Sequence, residues 1–162
     1  MRRNNLLVTG AFILVAVGCS GGDSTGPGKF ENVAGSYAGN TTGLSQGIRL
    51  NATFSVTMTQ SSASMSGIWG LQGVLDNGVN TVVVAGNGPV TGTVGSGRNP
   101  SVSLVVKSTA CPNYQATFNG SYDSATGRIT VTGPIDFFGS NTCNVALTYQ
   151  STITLVHGGG LL

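Results

Sequence analysis

The feature that most constrains the fold of this chain is an alternation of apolar and polar residues with a period of two, clearest from Leu50 to Thr59. This period places apolar side chains on one face of a β-strand and hydroxyl side chains on the other. Clusters of Gly, Pro, Asn, Asp and Ser divide the chain into eight such runs. The runs cover residues 33–40, 50–60, 64–72, 80–95, 100–109, 113–123, 128–136 and 144–157.

The composition argues against helices and against nucleic-acid binding. Charged residues make up 7% of the chain, against about 25% in an ordinary soluble domain. Helix-forming polar residues are too few to cover the solvent face of an amphipathic helix, so we expect an all-β protein. The seven basic residues, less Arg2 and Arg3, leave five, which balance five acidic ones. We therefore expect no basic patch and no nucleic-acid partner.

The N-terminus has the pattern of a targeting signal. Arg2 and Arg3 precede an apolar stretch over residues 6–17 that is too short to span a bilayer. The tetrapeptide at residues 16–19, Ala-Val-Gly-Cys, resembles the lipobox of bacterial lipoproteins, in which the cysteine is acylated and becomes the new N-terminus. A plain secretory signal, cleaved at a small-residue site, is the alternative.

The lipobox resemblance implies a lipoprotein signal peptide over residues 1–18 and a lipidated, Gly/Ser-rich tether over residues 19–29. An acylated Cys19 would anchor the chain in a membrane. Ser20 at the next position implies sorting to the outer membrane of a bacterial cell envelope. We expect one folded domain over residues 30–157 and a C-terminal tail over residues 158–162.

The cysteines suggest a covalent cross-link. Assigning Cys19 to lipid leaves Cys111 and Cys143 as one possible pair. In an oxidising compartment the first expectation for such a pair is a disulfide. Because the only histidine is His157, a zinc site of two cysteines and one histidine is the alternative. The disulfide interpretation implies no metal and no other cofactor.

The links between the runs indicate how the strands are arranged. Short turns follow the second, fourth and sixth runs, and longer links lie at residues 41–49, 72–80, 108–112 and 134–144. Successive runs should therefore pair in an eight-stranded, antiparallel, up-and-down order. A sandwich and a closed barrel both fit this order, and closure is favoured because open edges with almost no lysine would aggregate. In such a barrel Cys111 and Cys143 lie at the same end.

The fourth run has two interpretations. It contains Gly-Asn-Gly-Pro at residues 86–89, a sequence typical of turns and strand edges. Either one strand continues through this sequence, or residues 81–85 form a separate short strand and Pro89 starts the main one.

Three short motifs carry a resemblance to a known group of barrels. They are Gly-Ser-Tyr at residues 35–37, Met-Ser-Gly-Ile-Trp at 65–69 and Phe-Asn-Gly-Ser-Tyr at 118–122. With the meander, they resemble the avidin, lipocalin and related calycin-like barrels, and especially small bacterial lipoproteins with the same glycine and aromatic punctuation. The resemblance implies an eight-stranded barrel with one open end. Because Trp69 is the only tryptophan, it does not imply biotin binding.

The parity of the strands predicts which side chains face the barrel interior. An eight-stranded barrel has room either for its own side chains or for one small ligand, and both alternatives remain open here. The predicted inward residues are Tyr37, Phe54, Val56, Met58, Met65, Trp69, Leu71, Val90, Val94, Val102, Leu104, Val106, Tyr114, Phe118, Tyr122, Ile129, Val131, Val145, Leu147, Tyr149, Ile153 and Leu155.

If there is a cavity, its mouth should lie at the end with the longer links, away from the membrane. The candidate ligand-binding residues there are Trp69, Leu71, Tyr114 and Tyr149 on the wall, Phe137 and Phe138 in the last link, and Arg49 at the rim. His157 has inward parity at the opposite end, where we expect it to lie against Tyr37 as a plug.

These features favour a non-enzymatic binding protein. A lone histidine and five scattered acidic residues supply neither a nucleophile with its base nor a pair of catalytic carboxylates. We expect a lipid-anchored envelope barrel that binds a small apolar or amphipathic ligand at its mouth, away from the membrane. The alternatives are an interaction or inhibitor protein that docks an envelope or secreted protein through its mouth links, and a purely structural surface module.

Overall fold

The computed structural model describes residues 29–139 and 142–158, which contain eight strands and no helix. The strands are β1 (Gly35–Ser45), β2 (Ile48–Ser61), β3 (Ser64–Asp76), β4 (Thr81–Val94), β5 (Ser101–Lys107), β6 (Gln115–Asp123), β7 (Arg128–Phe138) and β8 (Val145–His157). The predicted all-β class is confirmed. The predicted signal peptide and Cys19 lie outside the described residues. Within the described ranges no helix has the length and apolar character needed to cross a membrane.

The sheet closes on itself as an up-and-down barrel. Each strand pairs antiparallel with the next, and β8 pairs with β1 through Tyr37 with His157 and Ala38 with Val156. The barrel is thus confirmed over the sandwich. We call one end of the barrel the closed end; it carries the turns at residues 62–63, 95–100 and 124–127. The mouth end carries the turns at 46–47 and 77–80 and the links at 108–114 and 139–144.

Strand parity separates an apolar interior from a hydroxyl-rich exterior. In β2 the side chains of Leu50, Ala52, Phe54, Val56 and Met58 are all buried. On the outer face, hydroxyl groups form cross-strand hydrogen bonds, as between the side chains of residues 132 and 152 at 2.8 Å. Such pairs stabilise neighbouring strands without charge, so the exterior is polar although the chain has few ionised groups.

The parity prediction is wrong at Val145, which is 47% exposed. The register of β7 and β8 shifts near the mouth: Phe137 faces Leu147, but Phe138 faces Val145. Ala146 is therefore an extra residue on β8, as in a β-bulge. A single extra residue moves the side chains that precede it on the strand to the opposite face of the sheet. Val145 therefore faces outward.

A segment before β1, residues 29–34, covers the closed end. Phe30 forms a β-bridge with Ser96, and the side chain of Gln60 holds the segment. The Gln60 amide donates to the Glu31 carbonyl oxygen at 2.8 Å and accepts from the Val33 N–H at 2.7 Å. Val33 is completely buried. We predicted a strand from residue 33; instead, this segment packs across the end of the barrel. The ring of His157 does lie against Tyr37, with 5.1 Å between ring centroids, but His157 is exposed.

Three of the predicted mouth links are wrong in whole or in part: β7 continues to Phe138, so the link predicted at 134–144 covers only residues 139–144. The segments at 41–49 and 72–80 are mostly strand, because β1 and β2 extend to a two-residue turn and β3 and β4 to a four-residue turn. Gln46 and Gly47 in the first turn have φ of 50° and 79°. Two positive φ values in a two-residue loop are typical of the tight turn that matches strand twist. These two hairpins are therefore longer than the positions of their turn-forming residues indicated.

The fourth strand is continuous through Gly86, Asn87, Gly88 and Pro89, so the separate short strand is excluded. Backbone groups alternate in direction along β4: the Val94 N–H donates to Ala63 beside β3, and odd-numbered residues point to the β5 side. The ladder with β5 begins only at Val90. Pro89 therefore sits where no N–H is needed, which is the place a strand tolerates proline.

The predicted disulfide is confirmed. Cys111 in the link after β5 and Cys143 in the link after β7 are bonded, with 5.6 Å between their Cα atoms. Both lie at the mouth end, as the up-and-down order requires.

Candidate functional site

A cavity of about 740 Å³ lies at the mouth end. Its floor is aromatic, its walls are mostly aliphatic, and the lining includes a few polar residues. The lining residues are Phe54, Trp69, Leu71, Leu75, Val82, Val83, Val84, Ala85, Gly86, Asn87, Val106, Ser108, Thr109, Ala110, Tyr114, Ala116, Phe118, Pro134, Ile135, Asp136, Phe137, Phe138, Ala146 and Leu147.

The cavity exists because one wall of the barrel is short. β5 has seven residues and β6 has nine, whereas the other strands have 11 to 14. β4 pairs with β5 only over residues 90–94, and β7 pairs with β6 only over residues 128–132. Toward the mouth, β4 and β7 thus have no strand between them. The space is bounded by the link at 108–114 instead.

Three aromatic rings form the floor. Phe54 stacks on Trp69 with 5.8 Å between centroids and packs against Phe118 at 5.5 Å. Below them the interior is filled by buried side chains, which are Val56, Met58, Met65, Val90, Val94, Val102, Leu104, Ile129, Val131, Ile153 and Leu155. The barrel is therefore packed in its closed half and hollow in its mouth half, so each of the two alternatives for the interior applies to one half.

Gly86 of β4 makes room for the Trp69 ring, and Gly88 makes room for the Lys107 carbonyl oxygen, with which a Cβ atom on Gly88 would clash. Trp69 lies opposite Gly88 in the β3–β4 ladder. A Cβ atom on Gly86 would lie 3.1 Å from the far edge of the indole ring, tighter than most such contacts. With no side chain in the way, the indole Nε1 reaches the Lys107 carbonyl oxygen and donates to it at 2.7 Å. The sequence Gly-Asn-Gly is thus part of a strand, and its glycines avoid clashes with the Trp69 ring and with the backbone of Lys107.

The link at 108–114 is held by polar, aromatic and covalent contacts. The Tyr114 hydroxyl donates a short hydrogen bond to Asp136, whose other oxygen accepts from Thr148. The Tyr114 ring packs edge-on against Phe138 at 4.9 Å. Burial, followed by the hydrogen bond and the charge of Asp136, raises the pKa of Tyr114 far above its ordinary value. The disulfide at Cys111 fixes the same link to the one after β7.

Five of the seven predicted ligand-binding residues line the cavity: Trp69, Leu71, Tyr114, Phe137 and Phe138. The two phenylalanines end β7 and do not lie in a link, which corrects the prediction of their location. Because strand neighbours alternate, Phe137 packs inward against Tyr149 at 5.7 Å, and Phe138 packs against Tyr114.

The other two predicted residues lie outside the cavity lining. Tyr149 is buried beside it, where its hydroxyl donates to the Ile48 carbonyl oxygen at 3.3 Å. Burial raises the pKa of Tyr149. Arg49 is exposed on β2, opposite Asp76 of β3.

Sequence reasoning missed the contribution of β4. Residues 82–87 line the cavity, and none of them is among the predicted ligand-binding residues. Three consecutive valines at 82–84 carry a signal that could have been used, because they break the alternation just where a strand loses a neighbour. Ala116 was missed for a simpler reason: it faces inward next to Phe118, but it is small.

The cavity lining contains one carboxylate among its residues. This group, Asp136, already accepts two hydrogen bonds. Among the described residues, no three His, Cys, Asp or Glu side chains are grouped so that they could hold a metal ion. The zinc alternative for Cys111 and Cys143 is excluded by their disulfide. The cavity is a concave, mostly apolar surface with a few polar residues.

The closed, up-and-down, eight-stranded barrel is compatible with the calycin-like architecture that the sequence motifs resemble. Comparisons of the chain with protein-family models, with curated proteins and with solved structures found no match.

Proposed function

We propose that this protein binds one small apolar or amphipathic molecule in the mouth cavity. The observation that carries the proposal is the unfilled mouth half of the barrel, a space of about 740 Å³. Sites for small molecules usually measure roughly 300–1,000 Å³, are lined mostly by apolar and aromatic groups and carry a few polar ones. Protein interiors are otherwise close-packed, with few voids larger than a water molecule. A space of this size therefore supports a binding site for a small molecule.

The arrangement of groups supports an orientation for the ligand. Phe54 and Phe118 at the floor offer apolar ring surfaces, and Asn87, Ser108 and Thr109 are polar residues of the same lining. An amphipathic ligand would bury its apolar part on the rings and turn its polar part to these residues. Burial of apolar area would supply most of the binding free energy, at about 25 cal/mol per Å² removed from water.

The wider setting belongs to the same proposal. The three glycine and aromatic motifs, together with the closed barrel, support a distant relation to calycin-like barrels, a group that often binds small apolar ligands. The signal pattern and Cys19 support a lipid-anchored protein of a bacterial envelope, held at the outer membrane. We expect Cys19→Ser to move the protein from the membrane fraction to the soluble envelope fraction. Equal membrane association of both forms would contradict anchoring through this residue.

The binding test uses the full chain in lipid nanodiscs and the uncharged probe N-phenyl-1-naphthylamine, whose fluorescence rises in apolar surroundings. We expect saturable binding after subtraction of empty nanodiscs, with a change in Trp69 emission. Ala116→Phe should weaken binding at least tenfold, because residue 116 faces the cavity. The matched control is Thr117→Phe, which adds a similar side chain on the exposed outer face. Binding that is absent, or equal in both variants, overturns the proposal.

The interaction alternative remains a prediction with weaker support. Its expected contacts, Phe137 and Phe138, are both half-buried against tyrosines of the barrel and leave little side-chain area for a partner.

A further inference from the structure

The edge of β4 that borders the cavity is an open strand edge. Odd-numbered residues of β4 point their backbone groups away from β3, as the bond from the Gly95 N–H to Ser101 beside β5 indicates. Along this side the ladder with β5 ends at Val90, and one further bond joins the Thr109 N–H to the Asn87 carbonyl oxygen at 2.9 Å. Nearer the mouth, the N–H and C=O groups of Val83 and Ala85 have no partner on this side in the described part of the chain.

These backbone groups face the cavity. The side chain of Val83 points outward, since the residue is 81% exposed, yet Val83 and Ala85 both belong to the cavity lining. Their backbone groups point to the side of β4 where β5 has ended, which is the side that borders the cavity. The side chains of Val82 and Val84 alternate with them on the inner face. The cavity thus has a wall that offers two backbone donors and two backbone acceptors.

The spacing of these groups selects a type of ligand. Residues two apart on a strand are about 6.6–6.8 Å apart, and each presents one donor and one acceptor in the plane of the sheet. An extended peptide repeats the same spacing, so it can pair with both residues at once and place every second side chain in the cavity. A simple hydrocarbon chain would leave the donors and acceptors without partners.

The charge distribution around β4 indicates that the peptide is uncharged. Residues 77–97, which include the whole of β4, carry no charged side chain. Asp136, on the opposite wall, is already engaged by Tyr114 and Thr148. This part of the site offers no opposite charge to a charged peptide residue. The aromatic floor, in contrast, can bury an apolar side chain.

We infer that the mouth cavity binds a short, uncharged, apolar peptide segment in extended conformation, which adds as a strand to the open edge of β4 at Val83 and Ala85. This inference rests on the proposed function, because it names the ligand class of the same cavity. In an antiparallel pair, residues directly opposite each other have side chains on the same face. Peptide residues that bond to Val83 and Ala85 therefore point their side chains outward, and the residues between them point into the cavity.

The first experiment measures binding of the peptide acetyl-TVTLTV-amide to the full chain in nanodiscs by titration calorimetry, with empty nanodiscs as blank. In the expected complex the valine and leucine side chains lie in the cavity. The backbone N–H and C=O groups of the threonines then form the hydrogen bonds to β4. We expect N-methylation of the threonine amides to weaken binding at least tenfold and N-methylation of the valine and leucine amides to change it less than threefold. Equal loss from both methylation patterns, or from neither, overturns the inference.

The second experiment removes one donor from the protein. Ala85→Pro deletes the edge N–H and leaves the β3 ladder intact, and Pro89 already occupies a position of the same parity in this strand. The control, Ala85→Val, alters the same outward side chain and keeps the N–H. We expect Ala85→Pro to bind the peptide at least tenfold more weakly than Ala85→Val does, and the two variants to differ less than threefold in binding of N-phenyl-1-naphthylamine, which needs no backbone donor. Equal peptide binding by the two variants overturns the inference.

The two probes separate the possible failures. If wild-type protein binds neither the naphthylamine nor the peptide, the proposed function itself is contradicted. Binding of the naphthylamine without the peptide would overturn only the present inference. Sedimentation analysis covers a further outcome: a wild-type dimer that Ala85→Pro converts to a monomer, with no peptide bound, would assign the edge to a second copy of this chain and also overturn the inference.

Discussion

The indole Nε1 of Trp69 donates a hydrogen bond of 2.7 Å to the carbonyl oxygen of Lys107, so a side chain of β3 reaches across β4 to the last residue of β5. This bond joins the aromatic floor of the cavity to the short wall of the barrel. It also makes the only tryptophan of the chain a reporter that sits at the site.

Trp69→Phe keeps a ring on the floor but removes the donor to Lys107. We expect it to lower the free energy of unfolding by about 1 kcal/mol, the usual net contribution of one hydrogen bond. The measurement is urea denaturation followed by circular dichroism. Ile68→Val, at the exposed neighbouring position, is the control and should stay within about 0.5 kcal/mol of wild type. Equal stability of the two variants would show that the bond contributes nothing.

Two buried alanines test whether the barrel is hollow only at the mouth. Ala52 and Ala116 are 4% and 5% exposed, but only Ala116 lines the cavity. Ala52→Leu should lower the free energy of unfolding by about 1–3 kcal/mol through overpacking. Ala116→Leu should change it by less than about 1 kcal/mol, because its added atoms enter empty space. The same loss in both variants, measured by urea denaturation, would mean that the cavity does not exist in solution.

The disulfide between Cys111 and Cys143 closes a loop with a sequence separation of 32 residues. Replacing both cysteines by serine should lower the free energy of unfolding by about 3–4 kcal/mol in the chain-entropy description. A reducing agent should lower the stability of wild type by a similar amount and leave the double variant unchanged. Insensitivity of the wild type to reduction, with the thiols shown to be free, would contradict this.

The tyrosines predict an alkaline limit to stability. Burial raises the pKa of Tyr37 to about 12, and it also raises the pKa of Tyr114, Tyr122 and Tyr149. A raised folded-state pKa contributes stability that is complete below the unfolded value, near 10, and is lost as the pH rises through the folded value.

We therefore expect the free energy of unfolding to fall between about pH 10 and 12. Absorbance of tyrosinate at 295 nm should stay low at pH 10 in the native protein and rise together with unfolding. Because all four tyrosines of the chain share this shift, a native protein that ionises any tyrosine with a midpoint near 10 would contradict the burial of that residue.

The fold could be predicted from the sequence because its main determinants are local. The alternation from Leu50 to Thr59 fixes one buried face, and the turn residues place successive strands next to each other. The positions of Cys111 and Cys143 then follow from strand order alone. The prediction was wrong where one residue changes the pattern, as at Ala146, whose bulge exposes Val145.

The cavity could be predicted only in part. Its aromatic side chains, such as Trp69 and Phe118, follow from strand parity, whereas Phe137 was predicted in a link and lies on β7. The open edge at Val83 and Ala85 does not, because it depends on β5 and β6 ending early, which is a relation between distant segments. Likewise, Gly86 and Gly88 resemble turn residues in the sequence, but the first is needed by the Trp69 ring on the neighbouring strand and the second by the backbone of Lys107.

The division of the barrel into a packed half and a hollow half has an evolutionary consequence. Substitutions among the side chains around the mouth leave the buried layers near Leu104 and Ile153 untouched, and these layers hold much of the apolar core. Mutations of the cavity-lining side chains therefore disturb those layers less than mutations within them, while each one alters the shape of the cavity. A scaffold built in this way can change at its mouth while it keeps its fold and core.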